Sequence, residues 1–258
     1  MLARTALRFL WSRPPRGASY TVVSRDVVAE RFSTGSIGAT FCEHSGYSSS
    51  KWVHYMDVYE DQLSKVRRQR QIVGGEVHVV ELGVGDGGSL EVWKEYFGPR
   101  SNVVGVDIDP TAKRSYGPGI QVVIGSQNSE PVLEQVVQLL DDQIDVVIDD
   151  GSHRGHDQVE SFEYLWPKLA DGGIYIVEDL HTAYWRSFGG GVQRRGTFIE
   201  YAKSQVDDLH HWYHRRPRQT LRTEKSLNIS SISFYDSIVV ISKKYTVEPQ
   251  RVDFGVSC

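Results

Sequence analysis

Two short runs of acids stand near the middle of this chain, Asp149-Asp150-Gly-Ser-His153 and Glu178-Asp179, each directly after an apolar, β-branched stretch. In open parallel sheets ligands sit beyond the carboxyl ends of the strands, so acids placed there are delivered into one cleft. Four carboxylates from two such ends, with no lysine or arginine between them, should repel strongly, and a divalent cation is the simple relief. Carboxylate ligation suits a hard ion such as magnesium, or manganese. The bland use of the same acids is to cap following helices, where Asp149, Asp150 or Asp179 would be at home. His153 follows Asp150 by three residues, and His156 follows His153 by three. Beside a metal, a histidine with an ordinary pKa of about 6.5 is placed to take a proton from a hydroxyl. The carboxylates are expected to raise that pKa and to favour neutral to mildly alkaline conditions.

A second grouping lies earlier. The strand-like run Val77 to Leu82 ends in glycines at 83, 85, 87 and 88, a helix pattern starts at Ser89, and the next apolar run, Val103 to Val106, stops at Asp107. Glycines at such a turn let the backbone approach a ligand closely, and an acid closing the next strand can hold ribose hydroxyls. The spacing Gly83, Gly85, Gly88 also satisfies the dinucleotide fingerprint, which keeps a nicotinamide cofactor in play. Glu81 favours a different nucleotide. A pyrophosphate at a helix start wants positive or neutral surroundings, whereas S-adenosylmethionine carries a sulfonium and an ammonium and suits an acid. A turn this rich in glycine weakens folding unless a ligand uses it.

The elements that must position these groups alternate regularly. Residues 26–73 form a helical cap with a Gly/Ser-rich link from Ser33 to Ala39, followed by Tyr55, Val58, Tyr59 and Leu63 at helical spacing. Trp52, His54 and Tyr55 either line a cleft or pack in the core. Strands are expected at Val77 to Leu82, Val103 to Asp107, Ile120 to Ile124, Ile144 to Ile148 and Ile174 to Val177. Helices are expected at Pro131 to Leu140 and about Asp157 to Leu169, the latter closed by the turn Asp171-Gly172-Gly173. Two further strands flank Asp236 as an antiparallel pair. Alternating strands and helices imply an α/β fold with a doubly wound, mostly parallel sheet over residues 74–245, leaving a tail at 246–258. Residues 203–212 read as an amphipathic helix and loop.

With 258 residues, one domain of this type is the natural count. A net charge of −4 argues against nucleic acid as a partner, and the basic clusters Lys65 to Arg70 and His210 to Arg222 read as solvated surface. Cys42 and Cys258 lie far apart without metal-ligand spacing, which fits a reducing, cytoplasmic setting. No apolar run reaches membrane-spanning length. Residues 1–25 hold Arg4, Arg8, Arg13, Arg16 and Arg25 and no acid, the composition of an organellar transit peptide or of a basic bacterial amino terminus. Pro14, Pro15 and Gly17 would stop a helix there.

The strings ELGVGDGGS and VDID resemble motifs I and II of class I methyltransferases. IDDGSHRGHDQVESFEYLWPKLADGGIYIVEDLHTAYWRSFGGG resembles the metal-dependent sugar O-methyltransferases of the mycinamicin 2''-O-methyltransferase and rhamnosyl type. The likeness spans roughly Gly46 to Tyr245. It implies a Rossmann-like, seven-stranded sheet with an antiparallel last strand. It implies magnesium held by Asp150, Glu178 and Asp179, with His153 as general base. It implies S-adenosylmethionine bound by Glu81, Gly83, Gly85, Gly88, Ser89, Asp107, Gln127 and Asp149. The acceptor would be a sugar of a small glycoside or a glycolipid, with the aromatics of His181 to Trp185 bordering it. One departure concerns the adenine: the family commonly has an acid-Gln pair after the third strand, and this chain has Ser126 beside Gln127. Rival readings are an NAD(P)-dependent oxidoreductase, which leaves the acid cluster unexplained, and a non-catalytic cofactor-binding relative, which leaves His153 unexplained. Self-association is left open.

Overall fold

The computed structural model describes residues 21–214 and 224–255. The arginine-rich stretch 1–20 and part of the basic cluster around 210–222 lie outside the described residues. The described helices are α1 (Arg25–Ala29), α2 (Ile37–Glu43), α3 (Tyr55–Val73), α4 (Gly88–Phe97), α5 (Glu130–Leu139), α6 (Gly155–Leu165), α7 (Phe198–Leu209) and α8 (Glu224–Asn228). The strands are β1 (Val77–Leu82), β2 (Ser101–Asp107), β3 (Ile120–Ile124), β4 (Ile144–Asp149), β5 (Leu169–Val177), β6 (Ile229–Tyr235) and β7 (Ile238–Lys243).

All seven strands form one sheet in the order β3-β2-β1-β4-β5-β7-β6. Strands β1 to β5 pair in parallel, while β7 runs antiparallel to both β5 and β6. The chain first builds outward from β1 to β3 and then returns to place β4 on the other side of β1. That reversal opens a crevice at the carboxyl ends of β1 and β4, where doubly wound sheets bind ligands.

Side chains alternate between the two faces with period two, and each face carries its own core. Val79, Val146, Ile148, Ile174 and Ile176 pack with Tyr55, Tyr59 and Leu63 of α3 and with Trp93 of α4. Val80, Leu82, Val147, Tyr175 and Val177 pack with α5, α6 and α7 through Val136, Phe162 and Phe198. The amino-terminal helices α2 and α3 therefore form one layer with α4. The expected spacing Tyr55, Val58, Tyr59, Leu63 is the buried stripe of α3.

Three boundaries differ from the sequence expectation, each for a local reason. The Ser33 to Ala39 link is partly helix, because Ser36 caps α2 by accepting a hydrogen bond from the Ala39 amide. Helix α6 stops at Leu165, two residues before Pro167, which cannot continue the backbone ladder. The Asp171-Gly172-Gly173 turn is an irregularity inside β5: the register with β4 shifts between Ile144 and Val146, and Gly172 takes φ +81°. Among the described residues no helix is long and apolar enough to cross a membrane.

Two glycines of the β1–α4 turn make different demands. Gly83 has φ +93°, and a Cβ there would lie 2.2 Å from the Asp150 carbonyl oxygen, so β1 and β4 could not keep their register with a larger residue. Gly85 has φ +56°, and a Cβ there meets nothing within 4 Å. Gly83→Ala should destabilise the fold by about 2–4 kcal/mol, combining strain with backbone collision. Gly85→Ala should cost only about 1 kcal/mol. Urea unfolding of the two variants checks the ranking, and equal losses would contradict it.

Candidate active site

Alternation along three neighbouring strands decides which acids meet. Glu81 on β1, Asp150 just past β4 and Glu178 just past β5 share parity with Val79, Ile148 and Ile176, the face covered by α3. The ladder runs on past the strand ends to hold them: the Asp150 amide donates to Leu82 O at 2.9 Å and the Glu178 amide to Asp149 O at 2.9 Å. Asp149 has the opposite parity. It is fully buried on the other face, accepting from Gln127 Nε2 at 3.0 and 3.1 Å and from Tyr175 OH at 3.5 Å. Burial raises the Asp149 pKa to about 7 against those donors. The expected cluster of four carboxylates thus loses Asp149 and gains Glu81.

The expectation that no basic residue separates these acids does not hold. Lys51, from the segment before α3, has a side chain only 4 % exposed, and its Nζ donates to Asp150 Oδ2 at 2.7 Å and to Glu178 Oε2 at 2.9 Å. The same ammonium lies 3.5 Å from Glu81 Oε1. Burial alone would lower the Lys51 pKa, yet Asp150 and Glu178 outweigh it and hold the amine well above its ordinary value. Two phenols four residues apart on α3 complete the cage. Tyr59 OH donates to Glu178 Oε1 at 2.5 Å, and Tyr55 OH donates to Asp179 Oδ1 at 2.9 Å, joined there by Trp52 Nε1 at 2.9 Å. Burial raises the pKa of both Glu178 and Asp179, opposed at Glu178 by Lys51.

His153 sits among these groups. Its backbone is left-handed, with φ +52°, and its side chain is buried with Nε2 3.8 Å from Asp150 Oδ1 and 4.0 Å from Asp179 Oδ2. Ligand atoms of Asp150, His153 and Asp179 all lie within 4.8 Å of one another. Asp150 Oδ1 and Asp179 Oδ2 face the imidazole, while their partner oxygens are held by Lys51 and by Tyr55 and Trp52. Such an oxygen pair suits a hard divalent cation, and Glu178 could join it by releasing Lys51. The expected upward shift of the His153 pKa is overturned: burial lowers it to about 4, more than Asp150 can raise it. The ring is therefore neutral, the form able to accept a proton. His156 lies outside this group, exposed beside Asp157 and Glu160.

The glycine turn adjoins the cluster. Asp107 Oδ2 accepts from the Val84 and Gly85 amides, each at 2.9 Å, and Oδ1 accepts from the Asp109 amide at 2.8 Å. A carboxylate offers about four acceptor sites, so Asp107 shapes the turn and retains capacity for a hydroxyl. Ser89 Oγ donates to Glu81 Oε2 at 2.7 Å. Gln127 Oε1 accepts from the Ser152 amide at 2.5 Å while its amide group holds Asp149. Glu81, Ser89, Gln127 and Asp149 are all buried and brace the turn from beneath, whereas Gly85 opens to space. A string of rings borders the other side. His181 lies between Trp52 (5.7 Å) and Trp185 (4.8 Å), and Trp185 is followed by Phe188, 6.4 Å from His153. Tyr184 is half exposed, and Tyr55 is core.

Lys51 and Tyr59 escaped sequence reasoning as site residues. A lysine in a Ser-rich stretch reads as surface, and its only signal was the charge imbalance itself. The i, i+4 phenols of Tyr55 and Tyr59 were visible as a stripe, without a hint that their hydroxyls reach Asp179 and Glu178.

A family model described as a methyltransferase domain matches residues 80–180. A Streptomyces olivaceus 8-demethyl-8-alpha-L-rhamnosyl tetracenomycin-C 2'-O-methyltransferase is 35% identical over 77% of this chain and 53% of its own length. The Micromonospora griseorubida mycinamicin VI 2''-O-methyltransferase is 33% identical over 62% of this chain and 41% of its own. The solved structure of MycE, a methyltransferase from the mycinamycin biosynthetic pathway in complex with Mg and SAH, superposes with a TM-score of 0.67 at 28% identity, covering 87% of this chain and 55% of that one. The chain spans roughly half the length of these relatives. With the seven-stranded sheet, the glycine turn and the acid-histidine cluster in the matched region, the chain has a Rossmann-like methyltransferase fold with a methyltransferase domain over residues 80–180, and it is similar to sugar O-methyltransferases of glycosylated natural products.

Proposed function

We propose that this protein is an S-adenosylmethionine-dependent, divalent-cation-dependent O-methyltransferase whose acceptor is a sugar hydroxyl of a glycoside, a glycolipid or a glycosylated natural product. The observation that carries the reading is the convergence of Asp150, His153 and Asp179 within 4.8 Å at the sheet's crevice, beside the glycine turn. The names of the relatives support the acceptor class, and the Mg and SAH of the MycE complexes support the two cofactors.

Bound there, S-adenosylmethionine supplies the methyl group, and magnesium or manganese supplies positive charge that makes a hydroxyl more acidic. Gly83, Gly85 and Asp107 hold the nucleoside, with Gly88 opening the helix behind it. Asp150, Glu178 and Asp179 hold the cation. His153, kept neutral by burial, takes the hydroxyl proton at Nε2. Trp52, His181 and Trp185 offer ring faces for a pyranose. The protein's work is positioning, charge balance and exclusion of water.

The cofactor reading is tested by thermal protection. S-adenosylmethionine or its demethylated product should raise Tm, more so with magnesium, and NAD should not; turnover should stop in EDTA and return with magnesium or manganese. Protection by NAD(P) alone, or full activity in chelator, would overturn it. His153→Ala should still bind cofactor and metal while losing about 10²- to 10⁴-fold in kcat, and His156→Ala should be near normal. Because burial lowers the His153 pKa, the acid limb of the wild-type kcat profile should lie below pH ~6.5, the ordinary histidine value. A normal His153→Ala enzyme would remove the base assignment. A sugar hydroxyl is much less acidic than a catechol and needs both cation and base. In an acceptor screen with labelled cofactor, rhamnosides or other hexosides should therefore be methylated, and efficient catechol turnover with inert sugars would refute the acceptor class.

A further inference from the structure

Lys51 belongs to neither the glycine turn nor the acid-histidine motif, yet its ammonium is the one cation that the described structure places among Glu81, Asp150 and Glu178. It holds Asp150 by Oδ2 and Glu178 by Oε2, two of the three carboxylates assigned above to the divalent ion. Glu178 has no oxygen to spare, since Tyr59 holds the other. A metal ion entering this cluster must therefore share Asp150 with an ammonium and take Glu178 from it.

We propose that Lys51 is a built-in counter-ion that competes with the divalent cation, keeping the carboxylates assembled without metal and deliberately weakening metal affinity. The proposal rests on the metal reading of Asp150, Glu178 and Asp179. Three observations support it. The Lys51 side chain is as buried as the core, so its charge is poorly screened by water. Glu81 and Glu178 are fully and almost fully buried, so removal of the ammonium would leave them side by side with hydrogen bonds from Ser89 and Tyr59 but no opposite charge. The lysine enters from a segment rather than from a strand, on four methylenes that can swing the ammonium from Glu178 while it stays near Glu81. Lys51 is a positioning residue in this account. It touches the ligands and never the reacting atoms.

The sign of its effect on metal binding separates this role from a merely structural one. Loss of a structural support loosens a site, whereas loss of a competing charge tightens it. The test is calorimetric titration of the full chain with Mn²⁺ alone. Lys51→Met should bind Mn²⁺ about tenfold tighter or more than wild type, equivalent to ~1.4 kcal/mol. Its Tm without metal should fall, and Mn²⁺ should restore a larger part of it than in wild type. Lys51→Arg, which keeps the charge, should bind Mn²⁺ like wild type. Where Lys51→Met does not fold without metal, the charge-balanced double variant Lys51→Met/Glu81→Gln gives the same reading, with Mn²⁺ bound tighter than in wild type. Equal or weaker Mn²⁺ binding by the folded variant would overturn the proposal while leaving the metal site intact. Absence of Mn²⁺ binding by wild type itself would overturn the metal reading and this inference together.

Discussion

The alternation of side chains along β1, β4 and β5 sends Glu81, Asp150 and Glu178 to one face of the sheet, and the Lys51 ammonium is what lets them remain there as a group. At about 4 Å and an effective dielectric near 20, each like-charged pair repels by roughly 4 kcal/mol, and each ammonium–carboxylate pair recovers a similar amount. One cation against three anions cannot balance the sum. The remainder is met by hydrogen bonds from Ser89 and Tyr59, and by the upward pKa shifts that burial imposes on Glu81 and Glu178. A site left with excess negative charge and donors fixed on its outer oxygens is disposed to accept a divalent cation. The protein tolerates that excess because the cluster opens to the crevice at Asp150 and Asp179, the two less buried acids.

The segment that carries Lys51 also ties this cluster to the glycine-turn side of the crevice. The Gly88 amide donates to Ser48 O at 3.2 Å, and the Tyr47 amide donates to Glu91 Oε2 at 2.7 Å, so residues 47 and 48 lie across the start of α4. A Cβ on Gly88 would fall 2.1 Å from Tyr47 O, which explains a glycine at this position without invoking a ligand. Three residues later Lys51 enters the acids, and Trp52 reaches Asp179. One short strap thus braces the glycine turn and the acid-lined face at once. Its bonds to Gly88, Glu91, Asp150, Glu178 and Asp179 all reach far along the chain, which makes it part of the site rather than only a leader to α3.

Much of the scaffold was legible because β-branched runs and glycine turns are local signals. β1 and β3 fall where the apolar runs predict them, and the closing hairpin around Asp236 is present. The start of β5 was misread because Asp171-Gly172-Gly173 has turn chemistry, and only pairing with β4 shows that the strand begins at Leu169. Asp149 was legible in principle: period two separates it from Asp150, and the run Ile144 to Asp149 already encodes which acid faces which core. Lys51 was not, since no propensity or spacing says that a residue nearly a hundred positions before Asp150 will fill the hole between two strand ends. The direction of the His153 pKa failed for a related reason. The acids were counted from sequence, but desolvation depends on the packing around the ring, and desolvation won.

Two residues of the cluster hold conformations that ordinary residues avoid. His153 has φ +52° and Asp179 has φ +53°, each at a cost of about 1–2 kcal/mol for a residue bearing a Cβ. Parity explains what that strain achieves. Continued as strand, Asp179 would point to the face of Tyr175 and Val177, away from Glu178. The left-handed turn instead brings its carboxylate to Tyr55 and Trp52, with Oδ2 towards His153. At the end of β4 the turn through Gly151 and Ser152 brings His153 back over Asp150, three residues on. Both turns are locked from outside: Thr182 Oγ1 donates to the carbonyls of Asp179 at 2.7 Å and His153 at 3.3 Å, joining the two strained residues through one hydroxyl. Regular strands can deliver acids to a crevice but cannot aim consecutive residues at the same point. The strain at these two positions is the means by which adjacent strand ends place two carboxylate oxygens and an imidazole around one small volume.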